Sequence, residues 1–316
     1  MEIILTGINI LAFILIVICF FVFYNKLKNI IILNRHKLVR NLELETNKVF
    51  KEIENSKNGL LNERYGFSEE VKLQKLFGEI QHSVELSNRI IQDNISTYNI
   101  HQKTFCHFKN INQGKDVVIV ATGPTLQQFD PFDKEAIYIG VNSAFLYEKI
   151  KLNYLFMQDY FAVKKYILNS INYFPEYCIK FFGLTTEFDK SINRVIPESI
   201  AIKARALRYR TDWADIPYFT PRFAYDISSQ PLGCFGSIVF PAIQFALWTN
   251  PKRIYLVGCD CSSAGHFNDK MPCYDLAELI GPWKQLKEFK NIYYPQIEII
   301  SINPVGLQGI FKDVFC

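Results

Sequence analysis

Apolar positions along this chain fall into three regimes. The first is a continuous run, IILTGINILAFILIVICFFVFY over residues 3–24, with Thr6 and Asn9 as its only clearly polar positions. About 20 apolar residues suffice to cross a bilayer as a helix. No basic residue precedes the run, and bulky side chains rather than a small-residue cleavage site end it. An uncleaved single-pass anchor is expected at 1–24. The second regime, 25–110, is rich in Lys, Glu and Asn, lacks proline, and repeats apolar residues at helical spacing: Leu73, Leu76, Phe77, Ile80, Val84 and Ile91. Such positions gather on one face of a helix. The spacing predicts a helical stalk without chemistry of its own, packing on the C-terminal domain or self-associating.

The third regime, 111–316, alternates short apolar runs with turns. Strands are expected at 117–121, 136–141, 154–157, 178–182, 253–257 and 297–302, with a helix at 237–248. The strands do not alternate strictly between apolar and polar, which is the mark of burial on both faces. The expected fold class is α/β: a doubly wound, mostly parallel, Rossmann-like sheet, preceded by a transmembrane helix and the stalk.

Charge alters this picture at one place. Lys26, Lys28, Arg35, Lys37 and Arg40 follow the apolar run and no basic residue precedes it, so the C-terminal bulk is expected on the cytoplasmic side. A formal net charge of +4 is too small to suggest nucleic acid as a partner. The eight cysteines have no disulfide-framework spacing, in keeping with a reducing compartment.

In doubly wound sheets ligands sit beyond the carboxyl ends of the strands, so those ends carry the candidate chemistry. The first is VVIVATGPTLQQFD (117–130), where Gly123 lets the backbone turn and Thr122 and Thr125 offer hydroxyls around Pro124; it is neither GxGxxG nor a Walker loop. The second strand ends at Asn142, an amide suited to a base or sugar edge or to capping. The third ends at Gln158 and Asp159. Gly233, Gly236 and Ser237 lead into the predicted helix, whose N-terminal N–H groups favour an anion; Ser237 is a natural cap. The fifth strand ends in GCDCSSAGHF (258–267), holding Gly258, Asp260 and His266, the only histidine after His107. Cys259, Cys261, His266 and Cys273 match no CxxC pair, and no metal site is expected.

With these motifs in order, VIVATGPTL, GVNSAF, YLFMQDY, the Gly236-Ser237 helix start, IYLVGCD and the closing ISINPVGLQGIF, residues 115–312 resemble the bacterial sialyltransferases of glycosyltransferase family 42. They also resemble the related group of motility-associated flagellin glycosyltransferases and MptE-like 6-hydroxymethylpterin diphosphokinases. The resemblance implies that Thr122, Gly123, Pro124, Thr125, Asn142, Gln158, Gly236, Ser237 and the Gly258–Asp260 turn hold a CMP-activated sialic-acid-like sugar, with neither metal nor other cofactor; His266 and Asp260, which share one strand-end loop, are the catalytic candidates. It implies a glycan or lipid-linked acceptor at the bacterial inner membrane. Two departures stand out. Thr122 replaces the family's first-loop Asn, and residues 267–316 lack the family's downstream base histidine, His266 lying nearer the place where that family sets a tyrosine on the donor phosphate. The alternatives are a Mg²⁺-ATP diphosphokinase using Asp159 and Asp260, and a non-catalytic binding protein of the same fold.

Overall fold

The computed structural model describes residues 67–316 apart from 132–134, 174–177, 186–194, 213–221 and 270–275, together with Lys48, Lys51 and Asn55. The predicted anchor and the first part of the predicted stalk lie outside the described residues. Among those described, no helix is long and apolar enough to cross a membrane. The chain divides into two compact units, Met1–Gln92 and Asp93–Cys316. In the first, the described structure is the greater part of helix α1 (Phe67–Phe105). The periodic apolar positions from Leu73 to Ile91 fall within this helix, and Gln81 donates to Glu85 one turn on (3.1 Å).

Among the described residues, the second unit is built on nine parallel strands. They are β1 (Asp116–Val120), β2 (Ile137–Val141), β3 (Tyr154–Met157), β4 (Ile179–Thr185), β5 (Leu207–Asp212), β6 (Leu232–Gly233), β7 (Arg253–Val257), β8 (Glu298–Ile302) and β9 (Lys312–Val314). Their order is β6-β5-β4-β3-β2-β1-β7-β8-β9. The chain therefore walks outward from β1 to β6, then returns to the other side of β1. The direction of winding reverses between β1 and β7, whose pairing runs from Asp116↔Arg253 to Val120↔Val257.

Burial on both faces explains the continuous apolar strands. In β1, Val117 and Ile119 join one core while Val118 and Val120 join the other, all four fully buried. The first core holds α4 (Val239–Trp248) and α5 (Ile280–Tyr293), the second α2 (Tyr160–Ser170) and α3 (Glu198–Ala204). Helix α4 is buried along its whole length. Its one polar side chain, Gln244, is satisfied at every arm: Oε1 accepts from Ala224 N (2.9 Å) and Gly233 N (3.1 Å), and Nε2 donates to Gly233 O (2.8 Å) and Phe240 O (3.0 Å). A buried amide so bonded fixes the backbone it touches, here the approach to the 234–238 turn.

The second unit begins at Asp93, inside the segment read as stalk. The last turns of α1 belong to this core: Phe105 is fully buried and stacks on Phe181 at 5.6 Å, and its carbonyl accepts from Trp248 Nε1 (3.1 Å). His101, also fully buried, crosses between elements, with Nδ1 bonded to Ile227 O (2.8 Å) and Nε2 accepting from Arg210 N (2.7 Å). A carbonyl can only accept, so Nδ1 carries the proton, and the bond accepted at Nε2 requires the neutral ring. Burial lowers its pKa from 6.5 to about 4. The unfolded chain therefore binds the extra proton first, and the stabilisation, complete above about pH 6.5, is lost as pH falls through about 4. Denaturant titrations from neutral to acid pH should show a loss on the order of 3 kcal/mol from this group. A His101→Gln variant should lack that component of the slope; an unchanged acid slope would refute the assignment.

Candidate functional site

The winding reversal between β1 and β7 leaves a crevice outside their carboxyl ends, where such sheets bind ligands. A cavity of about 330 Å³ lies there, within the range of small-molecule sites. Its wall includes Thr122 and Gly123 after β1, Asn142 after β2, Gln158 and Asp159 after β3, Gly236 and Ser237 before α4, and Gly258, Asp260 and His266 after β7. Of the residues selected from sequence, Pro124 and Thr125 are not on this wall. Pro124 opens a 3₁₀ turn (Pro124–Gln128). Thr125 stands behind the wall and binds Asp260, its N–H donating to Oδ2 (2.9 Å) and its hydroxyl to Oδ1.

This pairing gives Asp260 a positioning task. The side chain is buried, which raises its pKa, while the two Thr125 hydrogen bonds work in the opposite direction. Each carboxylate oxygen thus accepts one hydrogen bond from Thr125. The two loops are stitched together by Ala121 N→Val257 O (2.9 Å) and Gly123 N→Gly258 O (2.8 Å). Gly123 is needed for this close approach rather than for a turn. Its φ is an ordinary −66°, but an added Cβ would lie 2.6 Å from both Asp260 Cγ and Gly258 O.

Several residues around the cavity adopt left-handed backbone: Asn142 (φ 47°), Asp159 (61°), Phe235 (49°), Gly236 (78°), Gly258 (65°), Cys261 (46°) and Gly265 (84°). Such conformations cost non-glycine residues free energy and concentrate at functional sites. Asn142 combines this with a buried Oδ1 that has no hydrogen-bond partner. A buried acceptor left unbonded is costly and marks a place where a ligand donor would be welcome. Gln158, by contrast, is bound from behind: Nε2 donates to Thr211 on β5, and Oε1 faces Cys234 Sγ at 3.8 Å. Ser237 does not cap the helix. Helix α4 starts at Val239 with Ile238 in the capping position and no side-chain cap, and Ser237 N–H turns back to Cys234 O (2.9 Å).

His266 sits on a short hairpin folded over the β1 loop. Its Nδ1 lies 2.9 Å from Thr122 Oγ1, its N–H donates to Asp269 O (2.7 Å), and Phe267 N–H donates to Thr122 O (2.8 Å). Apolar side chains also line the cavity, from Val163, Ile238, Val239, Leu279 and Trp283. Sulfur also lines the cavity, from Cys234, Cys259 and Cys261. Burial raises the pKa of the Cys259 thiol far above its usual value and that of Cys261 to about 11. Cys261 Sγ accepts from Trp283 Nε1 (3.1 Å). The apolar part of this lining was not read from the sequence, where its residues are indistinguishable from core. Among the described residues no cluster of three or more His, Cys, Asp or Glu could hold a metal ion.

No family model and no curated protein sequence matches the chain. Solved structures to which it is similar include glycosyltransferases. One is the MAf glycosyltransferase from Magnetospirillum magneticum AMB-1, at 13% identity and TM-score 0.40, covering 69% of this chain and 38% of that one. Another is the sialyltransferase CstII from Campylobacter jejuni in complex with CMP-3FNeuAc, at 14% identity and TM-score 0.36, covering 63% and 85%. A variant of sialyltransferase Cst-II in complex with CMP has 16% identity and TM-score 0.36, covering 58% and 80%. At these identities and TM-scores the chemistry of the site has to be read from its own residues.

Proposed function

We propose that the chain is a glycosyltransferase whose donor is a nucleotide-activated sugar, CMP-linked and sialic-acid-like, and whose acceptor is a glycan or lipid-linked sugar of the cell surface. The observation that carries this reading is the buried, unpartnered Oδ1 of Asn142 on the wall of the switch-point cavity. It accepts from an amino group or hydroxyl of the nucleoside. The motifs shared with sialyltransferases supply the other parts. The N-terminal end of α4, beside Gly236 and Ser237, faces the phosphate with backbone N–H groups. The acceptor oxygen forms its bond to the anomeric carbon as the bond to the CMP phosphate breaks, the leaving electron pair stays on CMP, and the acceptor proton passes to a base. N–H groups at the helix end stabilise the charge that develops on CMP. The apolar segment at 3–24 would hold the enzyme on the cytoplasmic face of the inner membrane, where lipid-linked acceptors are assembled.

Thermal denaturation with a nucleotide panel tests the reading. CMP at a hundredfold excess over its Kd should raise Tm by about 5–10 °C without metal. The same ligand should bind about tenfold more weakly to Asn142→Gly, which keeps the left-handed backbone and removes the amide. A response to Mg²⁺-ATP and none to cytidine nucleotides would move the protein to phosphoryl transfer. No response to any nucleotide would leave a binding protein.

A further inference from the structure

The end of the sheet away from the cavity carries charge and apolar surface that the site does not use. Lys115 and Lys252 stand immediately before β1 and β7, and Lys252 N–H donates to Lys115 O (2.8 Å). The loop after α1 closes over the same end. Asn110 N–H donates to Trp248 O (3.1 Å) and Asn112 N–H to Thr249 O (3.0 Å), while Lys109 Nζ lies 4.7 Å from the centre of the Trp248 ring. Beside them Gln296 Nε2 donates to Asn250 Oδ1 (2.9 Å), which brings in the last residues of α5. There Tyr293 stacks on Tyr225 with ring centres 6.0 Å apart, and Tyr294 OH donates to Tyr225 O (3.3 Å). These bonds join the turns into one continuous face within the second unit.

Its side chains are of two kinds. Lys109, Lys115 and Lys252 are exposed, and with them stand Ile111 (50% exposed), Ile292 (70%), Tyr293 (53%) and Tyr225 (57%). The acids here are held by other cations, Asp116 by Arg253 (2.9 and 2.6 Å) and Glu298 by Lys312 (3.2 Å). Before β2 and β3 the same end is mixed, with exposed Glu135 and Glu148 and an Asp130–Lys149 pair. Among the described residues, net positive charge thus gathers on the side of β1, β7 and β8. Helix C-termini attract cations, which accounts for Lys103 and Lys290 in the last turns of α1 and α5. It does not account for Lys115 and Lys252, which lead into strands.

We infer that this face docks on an anionic phospholipid bilayer. Each lysine near such a surface favours the bound state by about fivefold. The isoleucines enter the apolar boundary below the headgroups, and the tyrosine rings rest at headgroup level with their hydroxyls toward water. Nucleic acid would use the lysines and leave Ile111 and Ile292 idle. The apolar run at 3–24 also has the length to keep this chain at a bilayer. Docked in this way, the molecule holds its cavity at the far end of the strands, open to ligands that arrive through water. Docking of this face does not depend on the transferase reading above.

Hydrogen–deuterium exchange of the full-length protein in lipid nanodiscs tests this, because the run at 3–24 can hold the chain to any lipid and only local protection reports the face. In phosphatidylcholine containing about one-third phosphatidylglycerol, exchange over 106–115 and 289–297 should be about fivefold slower than in phosphatidylcholine alone. Exchange over 304–310, beyond the carboxyl end of β8, should be the same in both. High salt should shrink the difference. The variant Lys109→Gln/Lys115→Gln/Lys252→Gln should lose it, and Ile111→Ser/Ile292→Ser should reduce it; all five positions are exposed, so both variants should fold. Equal exchange in the two lipids, or an undiminished difference in the triple-lysine variant, would overturn the docking face. Equal slowing by a single-stranded oligonucleotide in neutral nanodiscs would overturn lipid as its occupant.

Discussion

An Arg210→Met variant is expected to lose about 4 kcal/mol of global stability, measured as a shift of the urea midpoint with its slope unchanged. Arg210 and Asp93 are both buried, with side chains 10% and 9% exposed. The guanidinium donates from Nη1 to Asp93 Oδ1 and from Nη2 to Ser96 Oγ (3.0 Å). Methionine fills comparable space but leaves the Asp93 carboxylate buried without its guanidinium, and an uncompensated buried charge costs far more than the pair gains. The double variant Arg210→Met/Asp93→Leu should therefore recover most of the loss. If it is no better than the single one, the strand needs the arginine for packing and not for charge.

Gly258→Val should be nearly as severe and more local. At φ 65° a β-branched residue is strained, and even a Cβ at this position would lie 2.8 Å from Ala121 O and 3.1 Å from both Ala121 C and Leu126 Cβ. Two of these are backbone atoms of the β1 loop, which cannot rotate aside. Left-handed strain and overpacking together amount to about 4 kcal/mol. Relief can come only by separating the two loops whose junction builds the cavity. Nucleotide affinity should fall below detection in a protein whose circular dichroism still reports a folded sheet. Tight binding by Gly258→Val would remove this loop junction from the site.

Much of this architecture is legible in the chain because burial on both faces leaves a plain mark. Residues 117–120 are apolar without interruption and lie at the centre of the sheet; β3 and β7 agree with their expected limits. Strand β5 escaped notice for the opposite reason. Its sequence, Leu-Arg-Tyr-Arg-Thr-Asp, reads as a solvated segment, and only the positions of Asp93 and Ser96 on α1 show how Arg210 can be buried. The same partnership hides the start of the second unit. Polar residues such as Asp93, Thr97 and His101 made the end of α1 look like stalk, yet all three are buried. Strand-end logic located the polar half of the cavity, since glycines, amides and hydroxyls at those positions have few other uses. The reasons for individual residues were less accessible. Ser237 caps nothing, while Gly123 yields to a neighbouring loop and Asp260 is held by a threonine, the last two being facts that depend on contacts across 135 residues of chain.

The sulfur in the cavity wall has its own consequence. Thiols attack electrophiles and yield to oxidants as anions, and the Cys259 and Cys261 groups are kept in their protonated form well past physiological alkalinity. Peroxide or maleimide would thus meet Cys106 and Cys316, both exposed, before reaching the hollow. Cys106 and Cys316 can therefore carry a dye or a spin label while the Cys259 and Cys261 thiols stay protonated.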